Sequence, residues 1–137
     1  MTIVSEIDPQ RSLVLTHVSG VFTEAEAIEH EKTLGRQTDF RADYAQLFDA
    51  SLASWEEISS DCLRMIATLT PFAPTAKRAY VVKGQFGRML AIIFGVHSSL
   101  NEQYFYVTDQ LDMAYDWLNV AGENKARKSF YRTEKIG

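Results

Sequence analysis

The sequence predicts an α/β fold: a mixed, mainly parallel sheet of about five strands with four helices, in the order ββαβαβαβα. Three observations predict it. Two runs rich in Ile, Val and Leu stand together near the start of the chain, with turn residues between them. After them, short β-rich runs alternate with longer segments whose apolar residues recur every three or four positions. One short run, Arg78 to Val82, is apolar almost throughout, as a strand covered on both faces must be. Alternation of this kind, joined by right-handed crossovers, gives parallel strands with helices packed on the sheet.

The elements follow in order. Thr2 to Ile7 and Ser12 to Val18 form a hairpin around Asp8-Pro9-Gln10-Arg11, where Asp8 and Pro9 suit the first two positions of a type I turn. Thr23-Glu24-Ala25-Glu26 is a capping box that opens a helix running to about Gln37. The apolar face of that helix (Ala27, Ile28, Leu34) is thin, so the helix is expected outermost. Tyr44 to Phe48 is a short strand ending at Asp49. Ser54-Trp55-Glu56-Glu57 reads as a second capping box, with Trp55, Ile58, Cys62, Met65, Ile66 and Leu69 on one face behind it. Pro71 and Pro74 end that helix. Strand Arg78–Val82 then turns through Lys83-Gly84-Gln85-Phe86-Gly87 into a helix from about Gln85 to Ser98. Its apolar residues cover more than one contact surface. Tyr104 to Val107 is the last strand, Thr108 an N-cap, and Leu111, Ala114, Tyr115, Leu118 and Ala121 one face of a closing helix that stops at Gly122.

Composition bounds the function. At 137 residues, 46% hydrophobic and 23% charged, the chain reads as one domain able to bury roughly 68% of its unfolded surface. A net charge of −4 argues against phosphate-driven nucleic-acid binding. A single cysteine, Cys62, points to a reducing compartment. The first residues lack a signal-peptide pattern and the longest apolar run, Met89 to Phe94, is far too short to span a bilayer, so a soluble, cytoplasmic protein without a transmembrane segment is expected. Charge is uneven. Residues 1–122 carry 9 Lys+Arg against 16 Asp+Glu, and residues 123–137 carry 5 against 2. The division is therefore an α/β domain, 1–122, and a basic C-terminal tail, 123–137, in which Phe130 and Tyr131 stand among the basic residues.

The order of elements, the strand ending Leu47-Phe48-Asp49 before a capped helix, and the closing Tyr104-Phe105-Tyr106-Val107-Thr108-Asp109 with Ala114 to Trp117-Leu118 are similar to the SpoIIAA-like proteins. That family belongs with the STAS domains and the Sec14 (CRAL-TRIO) lipid-transfer fold. The resemblance covers about residues 1–121. It implies a βα superhelix with a mixed sheet and no enzyme chemistry. In partner-switching STAS members the phosphorylated Ser or Thr follows an Asp at the start of the helix after this strand. Here the loop reads Asp49-Ala50-Ser51-Leu52-Ala53-Ser54-Trp55-Glu56, with no Asp-Ser or Asp-Thr pair. That departure favours the divergent SpoIIAA-like branch, for which a small apolar or lipid-like ligand is implied.

The chemistry-bearing residues point the same way. His17, His30 and His97 fall in no motif with Cys62 or a serine, and Cys62 sits on a core face. No metal-ligand spacing occurs, and no cofactor is expected. Glu24, Glu26, Glu29 and Glu31 read as a solvated acidic helix start. Gly84-Gln85-Phe86-Gly87 lacks the remainder of a phosphate-binding loop. A ligand is expected beyond the carboxyl ends of the strands, where Ser19 to Phe22, Asp49 to Ser54, Lys83 to Arg88 and Thr108 gather. The candidate ligand-binding residues are Phe22, Asp49, Ser51, Phe86, Arg88, Leu90 and Phe94, in a non-enzymatic binding or regulatory domain that self-associates, as a homodimer, through an apolar helix face. The alternative is a phosphoswitched partner-binding module using Ser51 or Ser54. A third reading is a small enzyme working through Asp49, Arg88 or His97.

Overall fold

The computed structural model describes residues 3–119. Ala121, Gly122 and the basic segment 123–137 lie outside the described residues. The fold is α/β, with five strands in one mixed sheet and four helices: β1 (Ile3–Asp8), β2 (Leu13–Val21), α1 (Glu24–Gly35), β3 (Ala45–Ser54), α2 (Ser60–Leu69), β4 (Arg78–Val82), α3 (Gly84–Ser98), β5 (Phe105–Thr108) and α4 (Leu111–Leu118). A single 3-10 turn, Glu102–Tyr104, leads into β5. The strands lie in the order β1-β2-β3-β4-β5. β1 pairs antiparallel with β2, and β2 through β5 are parallel.

The hairpin forms as its turn residues require. The Asp8 carboxylate accepts from the N–H groups of Gln10 and Arg11 at 3.1 and 3.3 Å, and also binds the Arg11 guanidinium at 2.7 Å. The Thr23 hydroxyl caps α1 by accepting from Glu26 N at 3.2 Å. Gly84 enters α3 at φ 77, a left-handed conformation that a side chain disfavours.

Two expectations are corrected here. Strand β3 does not stop at Asp49; it runs to Ser54. A register shift between His17 and Ser19 lets β2 continue, so that Ser19, Gly20 and Val21 pair with Leu52, Ala53 and Ser54. The N–H of Phe22 then closes the ladder on the Ser54 carbonyl at 3.1 Å. Ser54 is therefore a strand residue and caps nothing. Helix α2 starts at Ser60, and Ser59 is its cap, accepting from Cys62 N at 3.1 Å. The buried face of α2 is Cys62, Leu63, Ile66 and Ala67, and Met65 and Leu69, expected on it, are exposed.

Helices α1, α2 and α3 share one face of the sheet, over a core that includes Ile3, Val18, Phe22, Trp55, Leu63, Ile66, Tyr80 and Leu90. Helix α4 covers the other face, where Ala114, Tyr115 and Leu118 pack on Leu13, Leu47, Ala79 and Val81. Each parallel strand is laid beside the previous one, so the strand order never reverses. The crevice that open α/β sheets use for ligands arises where the order reverses. Among the described residues that crevice is missing, and the loops at the carboxyl edge are not drawn into one site by the topology.

Candidate functional site

The polar chemistry of the chain lies inside, under α1, α2 and α3. Alternation along the strands puts Ser5 of β1, Thr16 of β2, Gln46 of β3 and Arg78 of β4 on the helix-covered face. Ser5 sits opposite Thr16, and Gln46 opposite Arg78. These residues form a polar stripe across four strands. The Gln46 amide donates to the Thr16 hydroxyl at 2.9 Å, the Thr16 and Ser5 hydroxyls lie 2.7 Å apart, and Ser5 meets His30 Nε2 of α1 at 2.6 Å. Every member is satisfied when the protons run from Gln46 towards His30, with Nε2 as final acceptor. That direction requires a neutral imidazole. Burial pushes the His30 pKa down to about 4 and so favours the neutral form.

Glu31, next on α1, is the strongest anomaly. Its Oε2 is covered and meets no hydrogen-bond partner among the described residues. Burial pushes its pKa up to about 7, with the Arg78 guanidinium pulling the other way. Arg78 is fully buried. Its Nη2 donates to the Ser98 carbonyl at 3.0 Å, its Nη1 to Thr70 Oγ1 at 3.4 Å, and the guanidinium lies over the rings of Phe72 and Phe94 at 5.5 and 5.6 Å. No carboxylate among the described residues contacts it.

Beside this stripe the core leaves a cavity of about 40 Å³. A chain of tilted and edge-on aromatic rings walls it: Trp55 against Phe22 at 5.8 Å, Phe22 against Phe48 at 6.5 Å, Phe48 against Tyr80 at 5.9 Å, and Tyr80 against Phe94 at 6.0 Å. Glu31, His30 and Gln46 line the same space. The Tyr80 hydroxyl, buried with the rest of its side chain, makes no well-formed hydrogen bond among the described residues, with the Ser98 side chain as a weak polar neighbour, and Trp55 Nε1 has no partner among them. Native interiors rarely leave such groups unmatched, and several around one cavity mark a place where something polar belongs.

The cavity adjoins an outer groove of about 620 Å³ between β1 and α1. Ile3 and His30 line both spaces and so form the wall between them. The groove floor is apolar, with Ile3, Ile7 and Leu34, and its rim carries Glu26, Glu29 and Asp39.

The candidate residues from the sequence are divided among three places. Phe22, Leu90 and Phe94 line the cavity. Asp49 and Ser51 belong to β3, with Asp49 facing the α4 side. The Asp49 carboxylate accepts from Ser51 Oγ at 2.8 Å and stands 3.7 Å from His17 Nδ1. The carboxylate lies between serine and histidine, so the imidazole has no contact through which to take the Ser51 proton. Phe86 and Arg88 lie on the exposed side of α3, where Arg88 donates to the Val107 carbonyl at 3.2 Å. Met89, Ile92 and Val96 are exposed with Phe86, so the surplus apolar surface of this helix is present. Ser51 and Ser54 stand in a strand, well before the N-terminus of α2, and a phosphate there gains nothing from the helix dipole. Burial pushes the Cys62 thiol up to about 11, with Glu24 adding to the shift, which keeps it protonated.

No family model, curated protein or solved structure matches this chain.

Sequence reasoning missed His30, Glu31, Gln46, Tyr80 and Arg78 as a group. The signal was present as polar residues at inward positions: Thr16 between Val14 and Val18, and His30 and Glu31 between Ala27 and Leu34. Among the described residues no cluster of three or more His, Cys, Asp and Glu has metal-binding geometry, and no helix is long and apolar enough to cross a membrane.

Proposed function

We propose that the chain is a binding domain for a small amphipathic carboxylic acid, whose head enters the interior cavity and whose apolar body lies in the groove between β1 and α1. The observation that carries this reading is the pair of unpartnered groups, Tyr80 OH and Glu31 Oε2, at one cavity with an apolar approach. A water needs about 10–15 Å³ on this measure, so 40 Å³ holds a group of about three heavy atoms, the size of a carboxyl head. It does not hold a whole lipid, and the groove supplies the remaining space. The Tyr80 hydroxyl and a protonated Glu31 both donate, and the buried Arg78 charge behind them favours an anionic acceptor. Entry displaces His30, which gives up its bond to Ser5. The resemblance to SpoIIAA-like proteins supports the same ligand class.

The test is titration of the full chain with octanoate and, separately, octanol, read by thermal unfolding and calorimetry. Octanoate raises the melting temperature and binds more tightly than octanol. Tyr80→Phe keeps the fold, because the lost hydroxyl makes no well-formed hydrogen bond, and weakens octanoate binding at least tenfold. Equal affinity for acid and alcohol, or an unchanged affinity in Tyr80→Phe, overturns the reading.

A further inference from the structure

The groove between β1 and α1 has a second claim on it. Its floor is apolar and its rim, at Glu26, Glu29 and Asp39, is acidic, with no lysine or arginine among the described residues that line it. Residues 123–137 have the complementary chemistry: Lys125, Arg127, Lys128, Arg132 and Lys135 interleaved with Phe130 and Tyr131, against only two acids. We propose that this segment docks in the β1–α1 groove of its own chain, aromatic side chains on the floor and basic ones on the rim.

Reach permits it. Helix α4 ends at Leu118, and its last turn lies at the edge of the sheet where Lys77 precedes β4, since the Lys77 ammonium binds the Trp117 carbonyl at 3.4 Å. That is the amino edge of the parallel strands. Helix α1 runs back from the carboxyl end of β2 to the start of β3, so its C-terminus, with Gln37 and Asp39 just beyond, opens the groove at the same edge. Crossing the whole sheet is about 19 Å at the usual strand spacing. From Asn119 the extended chain reaches up to about 20 Å to Lys125 and about 30 Å to Lys128. The charges make the docking salt-sensitive, because an exposed basic–acidic pairing is screened within about 3 Å at 1 M salt. Docking itself needs only the groove. Its consequence, that the segment competes with a ligand for the apolar channel, rests on the function proposed above.

Carbodiimide cross-linking of the full chain tests the docking without any ligand, because it joins a lysine to a carboxylate only at contact. The expected products are intrachain links from Lys125 or Lys128 to Glu29 or Asp39, on the monomer, independent of protein concentration and lost at 1 M salt. Amide exchange at residues 3–7 and 29–39 quickens severalfold when Lys125, Arg127 and Lys128 are changed to Glu. The double change Glu29→Lys and Asp39→Lys, both at exposed positions, gives the same quickening at residues 3–7. Links that scatter to Glu56, Glu57 or Asp109, or that form only between chains, overturn the proposal. So does unchanged exchange in the charge-reversed variants. The competition is read separately: the segment's Lys→Glu variant binds octanoate more tightly than the wild type. If octanoate binds neither, the ligand reading fails while the cross-links still decide the docking.

Discussion

The two ionisable residues that α1 turns inward have opposite effects on stability across mildly acidic pH, and replacing either one exposes the other. In the folded chain Glu31 titrates at about 7, not 4.5. Between those values the native state holds a proton that the unfolded chain has released. The stability this contributes is complete below pH 4.5 and is lost as pH rises towards 7, at about 1.4 kcal/mol per pH unit. His30 behaves in the opposite sense. Its folded pKa is about 4 against 6.5 unfolded, so the unfolded chain holds the extra proton in that interval. Its contribution is complete above pH 6.5 and is lost as pH falls through about 4. From pH 4.5 to 6.5 the two slopes have equal size and opposite sign, and the wild-type stability is nearly flat on their account.

Glu31→Gln removes the falling slope and leaves the rising one. Stability of this variant therefore increases by about 2 kcal/mol from pH 4.5 to 6.5, the slope flattening near each end of the window. His30→Gln leaves the Glu31 slope, and stability falls by a similar amount over the same interval. Asp8 does not disturb the comparison, because its hydrogen bond to Arg11 holds its pKa below the usual 3.8, outside the window. Urea unfolding followed by tryptophan fluorescence at pH 4.5, 5.5 and 6.5 measures each slope, provided the m-value stays constant. A flat profile in either variant would show that its partner is not titrating as a buried group, and the polar interior described here would lose its basis.

Three further outcomes follow from the packing. Ser59→Ala costs about 1 kcal/mol of unfolding free energy, as loss of an N-cap does, whereas Ser54→Ala at the strand end costs less than about half of that; paired urea titrations separate them. Gly87→Ala places a Cβ 2.8 Å from Trp55 Nε1, so the indole must move, at a cost of about 1–3 kcal/mol and with a red shift in tryptophan emission. Arg78→Met keeps the volume and removes a buried charge with no ion-pair partner among the described residues, so its stability stays within about 1 kcal/mol of the wild type or rises, while Arg78→Ala loses about 3 kcal/mol to the cavity it leaves. Arg78→Met also raises the Glu31 pKa, because the charge that opposes its protonation is gone; the pH at which stability falls in His30→Gln moves up accordingly.

Much of the fold was legible because local chemistry and tertiary demand agree there. Asp8-Pro9 makes the turn it suits, Thr23 caps α1, and the apolar run Arg78–Val82 is the strand buried on both faces. The errors arise where several residues suit the same role locally. Ser54 and Ser59 both resemble helix caps, and the choice is made by Val21, which pairs with Ser54 after the shift in β2 and so keeps β3 extended. Asp49 and Ser51 have the composition of a loop, yet they satisfy one another inside a strand. The site was hidden for a related reason. On α1 the inward face alternates Ala27, His30, Glu31 and Leu34, so its apolar periodicity is weak. Only the neighbours on β1, β2 and β3 show that these positions are covered.

The cost of that arrangement is an argument about its purpose. A buried guanidinium without a carboxylate in contact, a carboxyl group that burial keeps protonated near neutrality, and an imidazole held neutral each weaken the folded state relative to apolar residues of the same size. All three lie on one face of the sheet: His30 is hydrogen-bonded through Ser5 and Thr16 to Gln46, Gln46 stands opposite Arg78 in the ladder, and His30, Glu31 and Gln46 line one cavity. The opposite face, where α4 packs on Leu13, Leu47 and Val81, is built without such groups. The chain makes one apolar interface under α4 and places its buried ionisable residues under α1, the division expected if binding, as proposed, takes place there. The sequential strand order explains the location: with no reversal to open a crevice at the sheet edge, the space under α1 is where polar groups and an apolar approach meet.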